Sequence, residues 1–273
     1  MKWDWEVFAK WASVAVFVVG VVYAAVQLVN IKIQKRMGSI RSQFMCLMFI
    51  HFFGYSLLLT LTIVHPLCVR YSVFWFSMSL SALCMYMAFI PPSLYWLEIA
   101  KNPVQERSKR WKKIRLGTFV TLFVVWIGLD AMHAFWSAYN TVWEEIVRIG
   151  SHCFVTGGIV VYGGVVFLRR MRQQQTLFQT RPAHRKETVA RFGSIAIGGA
   201  VFLIAKAIAD FFGNFYGLEN DNNLDYIYYV FEGFWLGAAP LATAMLFRPM
   251  SGGLRGRPSE DNLFAAARIA VNY

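Results

Sequence analysis

Leu224–Phe247, LDYIYYVFEGFWLGAAPLATAMLF, is 24 residues long and almost wholly apolar, with one acidic side chain, Glu232, in its body. A helix of about 20 apolar residues crosses the ~30 Å hydrocarbon layer of a bilayer. A carboxylate inside that layer needs a partner or a wet cavity. The preceding apolar stretch, GGAVFLIAKAIADFFG, supplies a basic group, Lys206.

The remainder of the chain has the same character. Of 273 residues, 57% are hydrophobic, 17% aromatic and 15% charged. An average soluble domain carries about 25% charged residues. Apolar runs suggest seven membrane spans, near 7–31, 44–64, 73–99, 114–136, 146–168, 189–216 and 224–247. Pro91-Pro92 falls inside the third, where the missing backbone donors predict a kink. The expected architecture is an all-α, seven-transmembrane helix bundle, GPCR-like, over residues 1–248. Residues 249–273 form a tail in which SEDNLFAAARIAV has the spacing of a short amphipathic helix. The first apolar run is too long for a signal-peptide core and is expected to remain as an anchor.

The net charge of +12 is explained by where the basic residues fall. Segments 32–43, 100–115 and 169–191, with the tail, hold 22 of the 27 lysines and arginines. Basic connections remain cytosolic, which puts the N-terminus outside or in the lumen and the C-terminus in the cytosol. The bilayer is thus the expected partner rather than nucleic acid. The basic loops also suit anionic lipid or an acidic protein surface. The four cysteines do not form a disulfide framework; three lie within or beside apolar runs, as small buried residues do, and Cys68 falls in a short loop.

Several polar residues stand out against this background. Given opposite helix directions, Lys206 lies about 15 Å and Glu232 about 12 Å below the same membrane face. Asp210 is one turn from Lys206. The three form either a buried ion pair that sets helix register or a polar ligand site. Lys206 also resembles a retinal-binding lysine, but a further span follows it, and no cofactor is expected. Asp130 and His133 share a face of the fourth span, and His152 opens the fifth. They form an outer polar cluster in which helix-linking histidines are expected over a metal site, because no HExxH or HxxxH accompanies them. Trp96 and Glu98, in LYWLEIAKN, end the third span within reach of basic loop residues.

Four blocks resemble one family, the plant tobamovirus multiplication proteins and their animal orphan-receptor-like relatives. They are AVQLVNIKIQ (Ala25–Gln34), LYWLEIAKN (Leu94–Asn102), VVYGGVVFLRRMR (Val160–Arg172), and GSIAIGGAVFLIAK with LDYIYYVFEGF. The family's proline just after the helix-seven glutamate is replaced here by Trp235, with Pro240 later. The resemblance implies a multi-pass protein of vacuolar, lysosomal or other endomembranes. It implies an anchor or regulator without catalytic activity that recruits small GTPases or other cytosolic proteins. Two other readings are a transporter or channel using the outer polar residues, and a ligand-activated G-protein-coupled receptor. The DRY, CWxP and NPxxY marks of the rhodopsin class are absent.

Replacing Lys206 or Glu232 alone by leucine is expected to destabilise the protein, because each leaves a lone charge in lipid. Replacing both is expected to be milder. Melting in detergent checks this: a double variant as damaged as the sum of the singles argues against pairing.

Overall fold

The structure is a computed structural model. It describes residues 5–34, 39–64, 71–101, 109–136, 142–175, 198–199, 201–205 and 233–246, all helical or in short turns. Six helices come first: α1 (Trp5–Ile33), α2 (Ile40–Val64), α3 (Tyr71–Ala88), α4 (Ile90–Lys101), α5 (Lys109–Phe135) and α6 (Val142–Gln175). A π-helical turn, Gly233–Ala238, then runs into α7, Ala239–Leu246.

Five segments are long and apolar enough to cross a membrane: Val7–Ile33, Ile40–Val64, Ser72–Glu98, Lys113–Phe135 and Gly150–Arg170. The third of these runs through α3 and α4. The expected sixth span is described only at 198–199 and 201–205, and the expected seventh only from Gly233 to Leu246. The tail, Cys68, Lys206, Asp210 and Glu232 lie outside the described residues.

The outward surface is apolar. On α1, Val18, Val22, Val26, Val29 and Ile33 recur at helical spacing on the exposed face. The opposite face buries Ser13, Phe17, Gly20, Ala24, Gln27 and Ile31. Leu116, Val120 and Val124 are likewise exposed on α5. In water a continuous apolar exterior of this extent would drive association; in lipid it is the solvent-matched side. The chain is therefore read as a helical membrane protein.

Local chemistry sets where the helices begin. Ser39 caps α2: the Ser42 N–H donates to Ser39 Oγ at 3.2 Å, and the Ser42 hydroxyl donates to Ser39 O at 2.8 Å. This satisfies one of the donors left open in a first helical turn. Nearby, Arg41 donates to Gln27 Oε1 at 2.7 Å and fastens the start of α2 to α1.

The third span breaks at Phe89. Pro91 and Pro92 have no N–H, so the carbonyls of Met87 and Ala88 lose their usual helical donors. The Phe89 N–H bonds instead to Tyr86 O at 3.2 Å, tightening the last turn of α3. The prolines fall in the first turn of α4, where a missing N–H does no harm. Ser93 closes the break by donating from both its N–H (3.3 Å) and its hydroxyl (2.8 Å) to Phe89 O. Every residue from Leu83 to Ser93 is buried. Irregular backbone at membrane depth needs this protection.

Packing relies on small residues, as expected where lipid and protein are equally apolar. The buried face of α6 reads Cys153, Thr156, Gly157, Val160, Gly163, Gly164 and Phe167. It lies against α4, and a Cβ added at Gly163 would come 2.7 Å from the main-chain oxygen of Ser93. Residues 198–199 and 201–205 pack over the same region, with Gly199 beside the Phe89 ring and Leu203 beside Gly157. Gly233 and Gly237, spaced as GxxxG, bring the π turn against Ser13 and Val16 of α1.

Gly163→Val is expected to cost about 1–3 kcal/mol through overpacking against Ser93. Gly158→Val makes the control, since a Cβ there meets nothing within 4 Å. Thermal unfolding in detergent should separate the two, and equal melting temperatures would contradict the close α4–α6 approach.

Candidate functional site

His51 sits in the middle of α2 and is wholly buried. Its Nε2 lies 2.6 Å from Leu236 O in the π turn, and its Nδ1 lies 2.9 Å from Ser81 O in α3. The first contact follows from Pro240. In a regular helix the N–H of residue 240 would donate to the carbonyl of residue 236, and proline has none. His51 Nε2 supplies that donor from another helix. A neutral ring donates to one of the two carbonyls, and a protonated ring donates to both.

Aromatic rings fill the space around His51. Phe17 packs edge-on at 5.9 Å, Phe52 lies at 5.2 Å, and Tyr55 lies at 5.2 Å. Phe17 and Tyr55 stack on each other at 4.9 Å. His51 falls within the second expected span. Its partners were not legible, because a backbone carbonyl leaves no mark in a residue string. The one available signal was Pro240, which frees a carbonyl four residues earlier.

At the Lys101 end of α4, Glu98 meets Arg115 of α5, with Arg115 Nη1 donating to Glu98 Oε2 at 3.0 Å. Both side chains are largely buried, 11% and 21% exposed. The Arg115 guanidinium also lies 5.8 Å from the centre of the Tyr95 ring, within cation–π range. Trp96 is buried and stacks on Phe167 of α6 at 6.3 Å. The tryptophan–glutamate motif thus joins three helices: Glu98 holds α5, and Trp96 holds α6.

The third constellation lies fifteen residues along α5 from Arg115, about 22 Å at 1.5 Å per residue. Asp130 and His152 are both buried, with His152 Nε2 3.9 Å from Asp130 Oδ1. Trp126 packs edge-on against the His152 ring at 4.9 Å, and Tyr86 of α3 lies at 5.6 Å. The Cys153 thiol is 3.5 Å from the Tyr86 hydroxyl, to which it donates. One turn beyond His152, the hydroxyl of Thr156 is buried without a hydrogen bond in the protein. His133 stands one turn beyond Asp130 and is half-buried. The structure therefore brings Asp130 and His152 together. Among the described residues no group of three histidine, cysteine or acidic side chains could hold a metal ion.

Lys206, Asp210 and Glu232 lie outside the described residues, so their expected juxtaposition stays an expectation. No protein-family model matches the chain, and no curated protein matches it.

His51→Leu should leave the Leu236 carbonyl buried without a donor, at a cost of about 1–3 kcal/mol. Adding Pro240→Ala returns an N–H to the helix at the required position. The His51→Leu/Pro240→Ala protein should therefore be more stable in detergent than His51→Leu alone. No gain would show that the freed carbonyl is not what His51 serves.

Proposed function

We propose that this chain is a multi-pass, receptor-like membrane protein that recruits a cytosolic protein to an endomembrane through the basic end of its helices. The full reading has seven spans, a lumenal N-terminus and a cytosolic tail. It involves no catalytic step. The recruited partner is of the small-GTPase class, as the family resemblance implies.

One observation carries the reading. Arg41 lies in the first turn of α2, Lys113 and Arg115 lie near the start of α5, and Arg169 and Arg170 lie towards the end of α6. Arg41 bonds to Gln27 of α1, Arg115 pairs with Glu98 of α4, and Trp96 stacks on Phe167 of α6. A firmly joined basic rim gives a docking surface that loose loops do not, because less ordering entropy is lost on binding. Such a rim also speeds the encounter with an acidic partner.

The test uses the full chain in nanodiscs of neutral lipid, with purified small GTPases carrying GDP or a GTP analogue. Binding is expected to depend on the nucleotide. It should weaken roughly tenfold or more when Lys109, Arg110, Lys112 and Lys113 are replaced by glutamine, since tenfold requires only ~1.4 kcal/mol. Absence of binding by every GTPase tested, together with solute flux through the same protein in liposomes, would replace this reading with transport.

A further inference from the structure

We propose that Arg170 holds the phosphate of an anionic phospholipid at the end of α6. This site stands whether or not a cytosolic protein is recruited, and none of the residues replaced in the recruitment test belongs to it.

Three arginines are partly buried among the described residues: Arg41, Arg115 and Arg170. Arg41 donates to Gln27 Oε1 at 2.7 Å, and Arg115 donates to Glu98 Oε2 at 3.0 Å. Arg170 has no such acceptor: its Nε is buried with no hydrogen bond in the protein. A guanidinium is always charged. An arginine at a membrane edge ordinarily snorkels until water or headgroups surround its charge. Here part of the group is already closed off from water, so a compensating anion has to come to the part left open.

No acid in the described helices is left to supply it. α4 carries one, Glu98, already taken by Arg115. α5 carries one, Asp130, about 22 Å along the helix from Arg115. α2 and α3 carry none, and α6 carries none after Glu145. Phe167, one turn before Arg170, stacks on Trp96, so the end of α6 lies at the Glu98 end of α4. Glu144 and Glu145 open α6 and stand at its far end. Consecutive spans alternate in direction, which puts Glu6, in the first turn of α1, at that far end too.

Depth then decides between anions. Two of the apolar spans end at these residues, Ser72–Glu98 and Gly150–Arg170. The second has 21 residues, about 32 Å at 1.5 Å per residue, close to the ~30 Å hydrocarbon layer. Arg170 therefore stands where acyl chains give way to headgroups. An acidic protein segment reaches that level only by entering the headgroups, whereas a lipid phosphate is already there. The planar guanidinium fork matches two phosphate oxygens. Arg169, exposed beside it, adds positive charge that favours a lipid of net negative charge over a zwitterionic one.

Native mass spectrometry of the full-length chain in mild detergent tests this, with phosphatidylglycerol and phosphatidylcholine of the same acyl chains as probes. Wild type should retain one phosphatidylglycerol more tightly than any phosphatidylcholine. Arg170→Gln should weaken that binding roughly tenfold or more, the scale of one hydrogen-bonded charge. Arg169→Gln loses the same charge from an exposed position and should keep the tight site. If Arg170→Gln does not fold, Arg170→Lys retains the charge without the planar fork and should still bind more weakly than wild type. Three results overturn the proposal. One is a wild type with no preference between the two lipids. Another is equal binding by the position 169 and position 170 variants. The third is displacement of phosphatidylglycerol by inorganic phosphate at matching concentration, which would make soluble phosphate the occupant.

Discussion

A main-chain carbonyl at membrane depth must be given a hydrogen-bond donor by the protein, because lipid offers none. Proline creates this demand twice in the described structure. At Pro91-Pro92 the demand is met locally, by a tightened turn at Phe89 and by the two donors of Ser93. At Pro240 it is met from a distance, by His51 reaching Leu236 O. The second solution has the wider effect. It ties α2 to the π turn, and the other ring nitrogen lies against α3. One imidazole thereby sets the relative heights of three segments. The aromatic rings of Phe17, Phe52 and Tyr55 then pack around a point already determined.

The glycines and small side chains follow from the same geometry. A carbonyl-to-ring contact of 2.6 Å requires the π turn to lie close to its neighbours. Gly233 and Gly237 allow this against α1, where a Cβ at Gly237 would come 2.8 Å from Val16 Cγ1. On the other side, Gly163 lets α6 approach the Ser93 backbone beside the Phe89 break. Dispersion contacts and polar links take over the role that hydrophobic burial has in water. Close approach therefore occurs where the residues are smallest.

This division explains what could be read from the residues alone. Apolar runs reveal where lipid is, and five of them coincide with helices long enough to cross it. They do not reveal where a helix stops. The fourth apolar run opens near residue 114, yet α5 begins at Lys109, because backbone hydrogen bonding continues into the charged interface. That extra length brings Arg115 into a helix opposite Glu98, making a largely buried contact where a loop pair was expected. The break at Pro91-Pro92 was legible because proline acts on its own neighbours. The His51–Leu236 contact was not, because it joins residues 185 apart through a backbone atom. Asp130 and His152 were legible only as polar residues near the same membrane face. Their distance depended on the rotation of α5 and α6, which weak amphipathic patterns leave open.

α5 shows what polar contacts mean in such a setting. Among its described residues only Trp126 and Asp130 are buried, while most of its apolar surface looks outward. That surface is as stable against lipid as against protein, so apolar burial does little to choose the helix's position. Arg115 near one end meets Glu98, and Asp130 near the other meets His152. Both contacts are shielded from water and so from salt. Two polar contacts about 22 Å apart are enough to define both the height and the rotation of a straight helix. The basic rim and the buried aspartate–histidine pair are therefore the two attachments of one rod, and a change at either end alters how firmly the whole helix is held.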